Sequence, residues 1–154
     1  MFAIGLTGGI GSGKSTISDM LRAKGAATVY ADQIGHEVYR PGTPAWDQVV
    51  AAFGRQVVGD DGQIDRRKLG QIVFSDPEAR RRLDAITHPP MEQMMSERLE
   101  ELRRQGTRVV VLEAAILIEA GFITSPTDRD NCLIDLSNRF EFYRTIAEAL
   151  GEII

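Results

Sequence analysis

Cysteine is all but absent from this sequence: Cys132 stands alone among 154 residues. No internal disulfide can form, and no Cys/His cluster has the spacing of a metal site. Cys132 lies in an apolar run and reads as a buried, inert thiol. A basic excess is lacking too. Eighteen Lys and Arg against twenty-two Asp and Glu give a net charge of -4, which argues against broad nucleic-acid or membrane-surface binding. No apolar stretch approaches the roughly 18 residues of a membrane span, and no basic region precedes an apolar one at the N-terminus. Internal repeats, low-complexity segments and interdomain linkers are missing as well. These absences lead us to expect a soluble, cytoplasmic protein without a nucleic-acid or membrane partner.

What is present suits one globular domain. Hydrophobic residues make up 43% and charged residues 26%, a balance that disordered chains do not reach. A chain of this length buries roughly two thirds of its unfolded surface and needs no covalent or metal staple.

Phe2 to Thr7 (FAIGLT) is a short apolar run bounded by glycines and predicts a buried strand. From Lys14 to Lys24 the apolar positions Ile17, Met20 and Leu21 recur at helical spacing, with Gly25 as the stop. Ala26 to Tyr30 predicts a second strand and Gln33 to Tyr39 a short helix. Thr43 caps a helix that begins at Pro44 and reaches Phe53. GDDGQIDRRKLGQIVF starts as a turn and continues as an amphipathic helix. Ser75 and Asp76 offer caps for another helix running to about Thr87, where Pro89-Pro90 is expected to break it. A long helix then spans about Met91 to Arg104, its Met91, Met94 and Met95 facing a core. Arg108 to Leu112 (RVVVL) is the clearest buried strand. Ala114 to Ala120 predicts a short helix, Asn131 to Leu136 a further strand, and Arg139 to Leu150 a last helix. Strands alternating with helices predict a parallel sheet covered by helices. The helical stretch from about 44 to 104 is too long for one crossover and predicts a helical subdomain.

Between the first strand and the first helix lies Gly8-Gly9-Ile10-Gly11-Ser12-Gly13-Lys14-Ser15, which satisfies G-x-x-x-x-G-K-[ST] in the required context. Glycines let successive N–H groups turn toward a phosphate, and the helix N-terminus adds a favourable dipole. Lys14 places a cation at the β- and γ-phosphates, and the Ser15 hydroxyl is a ligand for Mg²⁺. The chain therefore reads as a nucleoside-triphosphate binder. Asp32 follows the second strand, where open α/β folds bind ligands. Its carboxylate could accept or orient the proton of an attacking hydroxyl, or it could simply cap the next helix. Asp32-Gln33-Ile34-Gly35 mimics the D-x-x-G box of GTPases, but no N-K-x-D segment follows.

From here the chain resembles the dephospho-CoA kinases. The likeness runs through GLTGGIGSGKST, ADQIGHEVYRPGTPAW, FGRQVVGDDGQIDRRKLGQIVFSDPEARRRLDAITHP and RVVVLEAAILIEAGF, about Met1 to Phe122. The resemblance implies an α/β fold, a P-loop NTPase-like parallel sheet flanked by helices, with a helical acceptor-binding insertion at about 44–104 within one kinase domain over 1–154. It implies phosphorylation of the ribose 3′-hydroxyl of dephospho-CoA by ATP, with Mg²⁺. ATP would be held by Gly9, Ile10, Gly11, Ser12, Gly13, Lys14, Ser15 and Thr16. Asp32 and Lys14 would be catalytic, and Asp32, Arg66, His88 and Glu119 would lie at the acceptor.

Each of the last three has a plainer reading. Arg66 belongs to the run Arg66-Arg67-Lys68, which suits a solvated helix start. His88 could cap the preceding helix, and Glu113 and Glu119 could be surface carboxylates flanking an apolar stretch. Arg80-Arg81-Arg82 reads as a solvated face. Tyr39 and Trp46 read as packing residues with access to the acceptor's pantetheine arm.

The chain departs from the family pattern in two places. Tyr30 stands where the family has an acid two positions before Asp32. After Phe122 the pattern fades, and the arginine-bearing lid and adenine-contacting segment have no counterpart, with Arg139 and Arg144 the only late arginines that could substitute. Loss of the lid would weaken catalysis more than binding. Two other classes of function therefore stay open: a catalytically inactive nucleotide-binding truncation or pseudoenzyme, and a P-loop kinase for another small alcohol such as a nucleoside monophosphate.

Overall fold

The computed structural model of the chain describes residues 1–9 and 11–114, together with the backbone of 131–135. Ile10, the expected helices at 114–120 and 139–150, Glu119, Arg139, Arg144 and the side chain of Cys132 lie outside the described residues.

Strand β1 (Phe2–Thr7) leads through the glycine loop into helix α1 (Lys14–Ala23), followed by β2 (Ala27–Tyr30) and α2 (Ala31–Val38). Helices α3 (Pro44–Phe53), α4 (Arg66–Ser75) and α5 (Pro77–Arg104) come next, then strands β3 (Val109–Glu113) and β4 (Asn131–Asp135). The strands form one four-stranded sheet in the order β2-β3-β1-β4, and every pairing is parallel. Parallel strands need both faces covered, and β1 and β3 meet that need: Ile4, Leu6, Val110 and Val111 are fully buried. Ile4, Leu6 and Val111 pack with Leu21 of α1, and Ile17, Phe2 and Val109 close around them. This cluster defines the sheet face that α1 covers.

Local chemistry sets the ends of the helices. At Gly25, φ is +96°; its N–H bonds Arg22 O, and the N–H of Ala26 bonds Leu21 O. This is the pair of hydrogen bonds of a left-handed C-terminal cap, and Ala26 and Leu21 then meet in the core. At α3 the Thr43 hydroxyl accepts from the N–H of Trp46 at 3.1 Å, and Pro44 opens the helix. At α4 the Asp65 carboxylate accepts from the N–H groups of Arg67 and Lys68.

Two compact units result, residues 1–32 with 96–154, and 33–95. The first holds the sheet and α1. The second has its own core of Val49, Phe53, Val57, Ile64, Leu69 and Ala79, with Tyr39, Trp46, Leu83 and Ile86 packed on it. Trp46 also donates its indole N–H to Gly62 O at 3.1 Å. The GDDGQID segment is a small hairpin, with Val58 bridged to Ile64 and the N–H of Gly59 bonded to Gln63 O at 2.8 Å.

One expectation fails outright. Pro89 and Pro90 do not divide two helices; α5 runs unbroken over 28 residues with both prolines inside. They remove the N–H groups that would bond the carbonyls of Ala85 and Ile86. The helix persists because it is held on both sides of the prolines. Ala79, Leu83 and Ile86 bury into the second unit's core, and Met95 is buried beyond them. Tertiary packing outweighs a local preference here. No described helix is long and apolar enough to cross a membrane.

Candidate functional site

The glycine loop sits at the C-terminal end of β1, where a parallel sheet presents its ligand edge. Gly11 has φ +77° and Gly13 φ +92°, and no neighbouring atom lies within 4 Å of a Cβ built at either. Backbone conformation, rather than space, therefore demands glycine at these two positions. Gly13 is the left-handed cap that starts α1, so the N–H groups of the first turn open onto the loop. Lys14 folds its ammonium back onto the loop, donating to Gly8 O and, at 3.0 Å, to Gly9 O. The cation thus already sits over the cradle that a triphosphate would occupy. Ser12 Oγ is buried there without a hydrogen-bond partner among the described residues, while Thr16 is exposed.

Ser15, the next residue, meets a group whose role the sequence reading missed. Its Oγ lies 3.5 Å from Glu113 Oε1. Glu113 is no surface carboxylate: it is only 9% exposed, and Oε2 is buried with no hydrogen-bond partner among the described residues. The cause is register. Glu113 ends β3 opposite Leu6 of β1, two residues past Val111, so it shares the α1-covered face and points at the N-terminus of that helix. The signal was available, because an acid closing the RVVVL strand falls at the ligand edge of a parallel sheet. A buried carboxylate oxygen with no donor, beside a serine hydroxyl, has the hard-oxygen chemistry of a Mg²⁺ site completed by phosphates and water. Among the described residues, no group of three or more acidic, His or Cys side chains is placed to hold a metal ion.

Asp32 lies in the first turn of α2, two residues beyond Tyr30, the register partner of Glu113. The helix begins at Ala31, so Asp32 stands inside it rather than at its cap, and its side chain is exposed. Lys14, Ser15, Glu113 and Asp32 all belong to the first unit.

Arg66 and His88 belong to the second unit. Arg66 is exposed at the first position of α4. With Arg67 and Lys68 it gathers cations at the start of α4, offset in part by the Asp65 cap, whose Oδ2 lies 3.7 Å from Lys68 Nζ. Tyr39 is held above its ordinary pKa by burial, and the nearby charge of Arg66 partly offsets the rise. His88 does not cap a helix, since α5 continues past it; its Nε2 lies 3.8 Å from Asp84 Oδ1. Arg80 and Arg81 lie on an exposed face, paired with Asp84 and Glu78. A cleft of about 630 Å³ opens at the other end of the sheet, among Leu21, Gly25, Leu102 and Gly106. Helix C-termini converge there, and their carbonyl ends disfavour phosphate.

A glycine loop joining a central parallel strand to a helix, with Lys14 over it and a buried acid beside Ser15, defines a P-loop nucleotide-binding α/β protein. Comparison narrows the class, because the family model CoaE, dephospho-CoA kinase, matches residues 2–147. The chain belongs to the dephospho-CoA kinase family, and the likeness runs past Phe122, where the quoted segments end. A dephospho-CoA kinase of Geobacter sulfurreducens is 54% identical over 121 residues, 79% of this chain and 61% of that protein. One from Moorella thermoacetica is 50% identical over 122 residues, 79% of this chain and 58% of its own. The chain thus spans about three fifths of the length of these curated relatives. Among solved structures, TT1252 from Thermus thermophilus aligns with a TM-score of 0.69 at 25% identity, covering 99% of this chain and 98% of that one. Dephospho-CoA kinase from Campylobacter jejuni shares the fold, with a TM-score of 0.68 at 20% identity and coverage of 98% and 96%.

Proposed function

We propose that the protein phosphorylates dephospho-CoA with ATP, moving the γ-phosphoryl group to the ribose 3′-hydroxyl to give coenzyme A. A cytoplasmic setting is part of this reading. The observation that carries it is the Lys14–Ser15 loop set against the buried Glu113 in a chain of this family.

The loop N–H groups and Lys14 hold the triphosphate, with Gly9 to Thr16 as its lining. Ser15 and Glu113 are the side chains that would hold Mg²⁺, which, when bound, neutralises charge on the β- and γ-phosphates. Asp32 orients the acceptor hydroxyl or takes its proton as the new oxygen–phosphorus bond forms and ADP leaves. Arg66, with the cations beside it at the α4 N-terminus, and His88 serve the acceptor. An anionic group of the substrate would find an excess of cations over acid at that helix end. Glu119 completes the assignment as an acceptor-side acid.

The test is a coupled ADP-release assay with dephospho-CoA, run beside nucleoside monophosphates as alternative acceptors. Turnover dependent on dephospho-CoA supports the reading. Turnover with a nucleoside monophosphate alone, or ATP binding without transfer to any acceptor, overturns it.

A further inference from the structure

The register that buries Glu113 also places a tyrosine against it. Tyr30 of β2 pairs with Glu113 of β3, which pairs in turn with Leu6 of β1. Register partners in a parallel sheet project to the same face, about 4.8 Å apart. That face is the one under α1: Thr28, two residues before Tyr30, lies 3.5 Å from Ser18 of α1 through their hydroxyls, and Glu113 meets Ser15 of α1. Tyr30 therefore stands beside Glu113 on the outermost strand of the described sheet.

This position bears on the burial of Glu113. Glu113 is the last residue of a strand one place from the sheet edge, yet it is 9% exposed and its Oε2 is shut away without a donor. Leu6, fully buried, covers it on the β1 side. On the other side the register offers only Tyr30, which is itself half-buried. The phenol does not reach back to take the free oxygen. It associates instead with Arg22 near the end of α1, whose guanidinium is held above its ordinary pKa first by Asp19 and then by Tyr30.

We propose that Tyr30 is a positioning residue for the cation edge of the nucleotide site: its ring covers the open side of Glu113, keeps Oε2 unhydrated and holds the carboxylate, through Oε1, beside Ser15 for a divalent cation. The inference rests on the reading of Ser15 and Glu113 as the Mg²⁺ side of the site. It assigns Tyr30 an effect on the metal that it never touches, as outer groups orient metal ligands elsewhere.

The experiment titrates Mg²⁺ into the protein with a non-hydrolysable ATP analogue and follows analogue binding calorimetrically, with a metal-free series alongside. Tyr30→Thr suits a strand and uncovers Glu113; Tyr30→Phe keeps the ring. Tyr30→Thr is expected to raise the half-saturating Mg²⁺ concentration about tenfold and leave metal-free analogue affinity unchanged, while Tyr30→Phe behaves as wild type. An unchanged Mg²⁺ midpoint in Tyr30→Thr overturns the proposal, as does an equal loss of affinity with and without Mg²⁺, which would mark general loosening. Glu113→Gln separates the two claims. If it leaves the Mg²⁺ midpoint unmoved, the metal reading itself falls; if it moves the midpoint and Tyr30→Thr does not, only the role of Tyr30 falls. Should Tyr30→Thr fail to fold, fluorotyrosine in the wild-type chain gives the answer. The Tyr30 fluorine resonance, identified by its loss in Tyr30→Phe, must shift when Mg²⁺ joins the analogue complex, and a fixed resonance overturns the proposal.

Discussion

Among the described residues Lys14 bonds only loop carbonyls, those of Gly8 and Gly9, and takes no part in either core. Lys14→Ala should therefore lower the rate of phosphoryl transfer by a factor on the order of 10²–10³ with an unchanged circular-dichroism spectrum and melting curve. Near-wild-type turnover would refute the loop assignment. Asp32 offers a sharper contrast, because α2 starts before it and a capping role has lost its basis. Asp32→Asn preserves shape and should leave ATP affinity within about twofold, yet depress turnover by about 10²–10⁴. Equal turnover would show that no proton is handled there. Glycine spacing made the loop legible in the sequence, because few other arrangements allow its backbone angles. Glu113 was legible as an acid at the ligand edge of the sheet but not as a buried one, because an acid beside an apolar run looks the same whether it faces solvent or the start of α1. Only pairing with Leu6 and Tyr30 tells the two apart.

Caps are the part of the element scale that short-range chemistry governs most completely. Thr43 accepts from Trp46 N–H, and its one hydroxyl proton has Val38 O and Arg40 O within reach, tying the end of α2 to the start of α3. Thr43→Ala should cost about 1 kcal/mol and lower the melting temperature by about 2–4 °C, whereas Thr43→Ser should lose little; calorimetry of both variants checks this. Asp65 is held below its ordinary pKa of 3.8 by the N–H groups of Lys68 and Arg67. A depressed carboxyl stabilises the fold above the unfolded pKa and loses that contribution as pH falls through the folded one. Asp65→Asn, an equally good cap, should flatten the fall of the urea midpoint below about pH 4, and an unchanged acid limb would count against the cap's electrostatic role. α5 shows where local chemistry is overruled. Two prolines read as a break, but a helix carrying Ala79, Leu83 and Ile86 into one core and Met95 beyond the prolines keeps its course despite the lost donors.

For the molecule as a whole, nucleotide binding and stability are linked. A ligand that binds only the folded chain raises its stability by about 2.7 kcal/mol at a hundredfold excess over Kd. Mg²⁺ with a non-hydrolysable ATP analogue should thus raise the melting temperature of the wild type, by less in Glu113→Gln, and scarcely at all in Lys14→Ala. A full shift in Lys14→Ala would place binding elsewhere. The sequence by itself determined the alternation of strands and helices, the phosphate loop and the caps, because each depends on neighbours within a few residues and on side-chain chemistry that acts locally. Tertiary structure alone decided that β3 lies between β2 and β1, that Glu113 is buried beside Ser15 with Tyr30 at its flank, and that α5 runs through its prolines. Those outcomes depend on strand register and on cores assembled from residues far apart in the chain, where burial of apolar surface outweighs what any short segment prefers.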